Sequence, residues 1–122
     1  MIPVLFFFCL SCVSPEKQIT GSWEMVEYKV NGHDEPEEIE VEWVFHNDGR
    51  FVQSISIPSG GTPDEAAWSI DPEKKTLTID YIDKRSEVIW KIVRLEDDTL
   101  RVEYRIPGFF VEREFVRKGP PE

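Results

Sequence analysis

Leu100, Val102, Tyr104 and Ile106 alternate with Arg101, Glu103 and Arg105 without a break. A period of two sends successive side chains to opposite faces of an extended strand, a pattern that an amphipathic helix does not produce. The same alternation recurs along the chain, bounded each time by turn residues. Trp23 to Val30 ends at Asn31-Gly32. Glu40 to His46 sets Val41, Trp43 and Phe45 against Glu40, Glu42 and His46, and Asn47-Asp48-Gly49 turns the chain into Phe51 to Ile57. After the breaker Pro58 to Pro63, Ala66, Trp68 and Ile70 share one face, Asp71 to Lys74 turns, and Leu77, Ile79 and Tyr81 share the next. Ser86 to Leu95 offers Val88, Trp90 and Ile92 to one side, although Ile89 and Val93 make its other face less polar than elsewhere. Pro107-Gly108 leads into the last run, Phe109 to Val116.

Eight such runs with short connections, and no credible helix of ten residues, predict an all-β antiparallel domain. A sandwich and a barrel both satisfy the pattern. The hairpin-by-hairpin order favours an up-and-down eight-stranded β-barrel, whose closure removes exposed strand edges. The predicted inward set is Trp23, Trp43, Phe45, Phe51, Ile55, Trp68, Tyr81, Trp90, Tyr104 and Phe115. A barrel of this size holds either side chains or one small guest. So much aromatic bulk weighs toward a packed core, whereas Gln53, Tyr81, Tyr104 and Arg113 on otherwise apolar faces are what a pocket uses to orient a guest.

Twenty-four acidic against fourteen basic side chains leave a formal charge of −10, with no basic run. Phosphate recognition needs clustered Lys or Arg, so no nucleic-acid partner is expected. The acidic stretch Asp34-Glu35-Pro36-Glu37-Glu38 lacks the alternating ligands and glycine of an EF-hand and reads as a solvated loop, with no metal expected. Nor does the chain read as an enzyme, and no cofactor is implied. His33 and His46 have no partner at a recognisable spacing, and the serines lack a nucleophile elbow. Glu24 and Glu27 could form an acid and base pair, but solvated charge is the simpler account.

The N-terminus has a different grammar. Ile2 to Leu10 is uncharged, too short to span a bilayer, and suited to the apolar core of an export signal. Cys9-Leu10-Ser11-Cys12 at its end resembles the lipobox of bacterial lipoproteins. That resemblance implies a signal peptide over residues 1–11 and a lipidated Cys12 as the mature N-terminus. Residues 12–18 then form the lipidated end and a short polar tether, 19–118 the domain, and 119–122 a tail. It also implies a protein anchored at the cell envelope, with the outer membrane as the expected one. Both cysteines lie in this segment, so the body holds no disulfide or thiolate metal site.

Gly21-Ser22-Trp23 matches the GxW signature of the lipocalins, and Phe45 to Phe51, Ala67 to Ile70, Leu77 to Ile79 and Ile92 to Val102 resemble bacterial lipocalin-like domains. The resemblance covers roughly Thr20 to Lys118. It implies a barrel in which Gly21 and Trp23 are structural, a late basic residue packs over Trp23, and a small apolar or amphipathic ligand enters the mouth. Arg113 or Arg117 fits the basic position, Arg113 being preferred because it shares a face with Val111 and Phe115. Trp43, Gln53, Trp68, Tyr81, Trp90, Tyr104 and Arg113 are the candidate ligand-binding residues. The alternative function is a packed scaffold whose loops, Asn31 to Ile39 and Pro58 to Asp64, engage a protein or glycan at the envelope; the sequence names no protein partner.

Overall fold

The structure, a computed structural model, describes residues 14–34, 40–56, 63–81 and 86–119. The segment expected to be an export signal, Cys12 and the greater part of both candidate loops lie outside the described residues. One helical turn, α1 (Pro15–Ile19), precedes nine strands: β1 (Gly21–Val30), β2 (His33–Asp34), β3 (Glu40–Phe45), β4 (Arg50–Ser56), β5 (Asp64–Asp71), β6 (Thr76–Tyr81), β7 (Ser86–Leu95), β8 (Thr99–Ile106) and β9 (Phe109–Arg117). Strands β3 to β9 follow one another in antiparallel order, β1 pairs with β3, and β1 also pairs with β9. The result is a closed, up-and-down barrel of eight strands. The ninth, β2, is a two-residue addition to the end of β1, formed because Asn31 and Gly32 both take positive φ, 52° and 82°. That geometry twists a tight hairpin in the same sense as its strands.

The alternation seen in the sequence is the inside and outside of this barrel. Trp23, Trp43, Phe45, Phe51, Leu77, Ile79, Leu100, Val102 and Phe115 are buried as one core. Two bulges adjust the phase. In β1 the register with β9 slips between Met25 and Glu27, so that Trp23 and Met25 point inward before it and Tyr28 and Val30 after it. Val26 is left on the outside, 54% exposed. In β7 the slip between Ile92 and Arg94 returns Leu95 to the core opposite Leu100, while Val93 stays on the outer face where alternation from Ile92 already puts it.

Residues 14–18 are not an extended tether. The Ser14 hydroxyl accepts from Lys17 N, Pro15 occupies the first helical turn, where its missing N–H costs nothing, and Ile19 is fully buried under the barrel. The helix packs against β5 and β7 and closes one end, here termed the base. The turns at 46–49, 71–75 and 96–98 share that end, whereas β1–β2, the start of β5 and the β8–β9 turn lie at the other, the mouth.

Candidate functional site

The base is sealed by one constellation. The Trp23 indole N–H donates to the Ile19 carbonyl at 2.8 Å, and the Arg117 guanidinium lies over the Trp23 ring at 4.2 Å. Arg117 also donates to the carbonyls of Thr20 at 2.8 Å, Asp97 at 2.6 Å and Gln18. Burial pulls its pKa down, an effect that Asp97 partly offsets. The basic residue over the tryptophan is therefore Arg117 and not Arg113, as preferred above. Both share a face of β9, but Trp23 lies opposite Arg117, whereas Arg113 lies opposite Tyr28, two inward positions nearer the mouth.

Above the seal the barrel is filled with rings. Trp43 stacks on Phe115 at 4.3 Å and meets Phe51 and Trp90 edge-on, each at 5.5 Å, while Phe45 and Phe51 lie 5.1 Å apart. At these separations the rings are in contact. Among the described residues, these rings and the aliphatic core side chains crowd the lower half.

Toward the mouth the lining changes character. Arg113 sits between aromatic faces, with its guanidinium carbon 5.0 Å from the Tyr28 ring, 5.3 Å from Trp90 and 5.9 Å from Trp43. Trp90 meets Tyr104 at 5.8 Å, and the Trp43 indole N–H donates to the Gln53 side-chain oxygen at 2.8 Å. Burial raises the pKa of the Tyr81 phenol, Asp64 raises it further, and Arg113 partly opposes the change. Two opposite charges, carried on β5 and β9, thus act on one half-buried phenol inside an aromatic wall. Such a surface can orient the polar end of a small amphipathic molecule and offer ring faces to the rest.

Six of the seven candidate residues are at or just below this level: Trp43, Gln53, Tyr81, Trp90, Tyr104 and Arg113. Trp68 is not. Its indole N–H donates to the His46 carbonyl at 2.8 Å and its ring meets Phe45 at 5.6 Å, which fixes it at the base. Two mouth residues were not singled out from the sequence. Tyr28 is put into phase by the β1 bulge, which alternation alone does not reveal, and Asp64 opens a strand directly after a proline.

The carboxylates considered for acid and base work are otherwise engaged or solvated. Glu27 is held by Arg101 at 3.2 Å on the outer wall, where Arg101 also meets Glu112 at 2.9 Å and Glu114 at 3.2 Å. Glu24 is exposed. No group of three His, Cys, Asp or Glu side chains suited to a metal ion occurs among the described residues.

A model of the lipocalin-like domain matches residues 19–102, more than half of the chain. The chain belongs to the lipocalin-like domain family. Among curated proteins none matches it. The lipocalin-like fold is visible in two solved structures. An NMR structure of a protein from Bacteroides uniformis ATCC 8492 superposes with a TM-score of 0.65 at 15% identity, covering 85% of this chain and 92% of that one. The bovine odorant binding protein, solved in complex with a selenium-containing odorant, superposes with a TM-score of 0.54 at 17% identity, covering 89% of this chain and 76% of that one. At such identities the likeness concerns the fold alone. Lipocalin-like barrels are known as sites for small hydrophobic molecules and not, typically, for catalysis.

Proposed function

We propose that this lipocalin-like domain binds one small apolar or amphipathic molecule in the barrel mouth, while lipidated Cys12 holds it on the bacterial cell envelope. The observation that carries the binding reading is Arg113 among the faces of Tyr28, Trp43 and Trp90, with Gln53 and Tyr81 nearby, inside a barrel that is otherwise apolar. A core with no functional requirement has no need of a cation, because moving a charge out of water carries a cost that its partners must offset. The odorant seated by the bovine protein of the same fold supports a ligand of modest size. Because rings fill the lower half, the guest is shallow, with its polar end at Arg113, Asp64 and Tyr81.

The test is a titration with the fluorescent probe 1-anilinonaphthalene-8-sulfonate, together with native mass spectrometry of protein purified from its source. Saturable uptake by the wild type, weakened by Arg113→Met, is expected. A clean apo mass with no probe uptake would refute ligand binding and favour the scaffold reading, which the crowded lower half also supports. For the anchor, Cys12→Ala is expected to release the domain from membranes or leave the signal uncut; an unchanged membrane fraction and mature mass would refute lipidation.

A further inference from the structure

Beside α1, at the base, lies an open groove of about 270 Å³, lined by Pro15 of the helix, Pro72 of the β5–β6 turn, and Val93 and Leu95 of β7, with the exposed Lys75 and Arg94 bordering it. Val93, on the outer face by ordinary alternation from Ile92 and 47% exposed, contributes to the apolar floor. For comparison, a dry cavity of about 150 Å³ accepts a benzene molecule. An open apolar groove bordered by two long cationic side chains matches the boundary between headgroups and acyl chains, where Lys and Arg extend their charge to water and lay their stems on hydrocarbon.

We infer that this groove, and with it the closed base of the barrel, is seated on the bilayer that carries the protein's own lipid anchor, so that the mouth opens away from the membrane. The inference rests on the reading of Cys12 as lipidated, and the spacing then leaves little choice of surface. Three residue steps separate Cys12 from Pro15, a reach of at most ~11 Å even when fully extended. Pro15 itself lines the groove, and α1 is fixed to the base through buried Ile19 and the bonds from Arg117 to Gln18 and Thr20. The mouth stands at the far end of strands such as β1, whose ten residues run for about 33 Å. It is out of the anchor's reach. Arg94 is already paired with Glu96 at 3.0 Å, so the apolar floor and the short tether, not net charge, hold the contact.

The mature lipidated protein would contain no free thiol, so a cysteine introduced at Val93→Cys, Pro72→Cys or, on the opposite end, Phe109→Cys accepts a single fluorophore. The labelled full chains are reconstituted in vesicles of phosphatidylethanolamine and phosphatidylglycerol containing a phospholipid that carries a nitroxide quencher near its headgroup, and intact mass confirms the diacylglyceryl group. The expected result is loss of fluorescence at positions 93 and 72 and none at 109. Equal quenching at both ends, or quenching at 109 alone, in protein of the lipidated mass would overturn the seating while leaving the anchor intact. A mature mass without lipid would overturn the anchor and the seating together.

Discussion

Replacing Arg117 by Ala removes a cation from the Trp23 face and leaves the carbonyls of Gln18, Thr20 and Asp97 without their donor. A hydrogen bond from a charged donor contributes about 1.5–3 kcal/mol, and a cation over a tryptophan about 0.5–2 kcal/mol. These contributions share one side chain at a half-buried site that water can enter, so they do not sum; we expect a loss of about 3 kcal/mol. For a domain of this size that corresponds to a melting point lower by roughly 12–24 °C. Urea unfolding should show the midpoint falling with an unchanged slope, because the surface exposed on unfolding is the same. Arg117→Lys keeps the charge but not the planar fork and should fall between the two. Arg113→Met, which replaces a cation among rings by a flexible apolar chain, should cost less than Arg117→Ala. A loss at position 117 of under about 1 kcal/mol, typical of an exposed ion pair, would refute the claim that this residue seals the base.

Phe115→Ala, which removes the ring stacked under Trp43, should cost about 3–5 kcal/mol by equilibrium unfolding. Arg101→Ala leaves Glu27, Glu112 and Glu114 facing one another on the outer wall; we expect a loss of about 1–2 kcal/mol that added salt partly restores. The pKa of Tyr81 is raised above its ordinary value of 10.0, so its contribution to stability is complete below that pH and is lost as pH rises through the higher folded value. Melting points measured across the alkaline range should therefore fall less steeply for Tyr81→Phe than for the wild type; parallel curves would contradict the burial of the phenol.

The strands and their inward faces were legible in the sequence because a buried face tolerates little other than apolar residues at alternate positions, and Trp23, Trp43, Phe45, Phe51, Trp90 and Phe115 all obey that rule. Phase was not legible. A bulge inserts one residue without a marker, so alternation carried past Met25 would send Glu27 inward and Tyr28 outward, the reverse of what is found. The choice between Arg113 and Arg117 failed for a related reason: a shared face says nothing of height along the barrel, which only the pairing of β9 with β1 supplies. Trp68 shares the inward phase of Ala66 and Ile70, yet its bond to the His46 carbonyl holds it at the base and away from the mouth group. The turn of helix at Pro15–Ile19 was hidden in five residues, too few to show a period, although the Ser14-Pro15 cap is visible in retrospect.

The most direct measurement is a two-dimensional NMR titration of the isotopically labelled domain with 1-anilinonaphthalene-8-sulfonate. A guest held in the mouth should shift resonances of Tyr28, Gln53, Tyr81, Tyr104 and Arg113 while those of Ile19, Phe45 and Leu77 stay in place. Shifts confined to the base, or none at saturating probe, would contradict a binding mouth above a crowded floor.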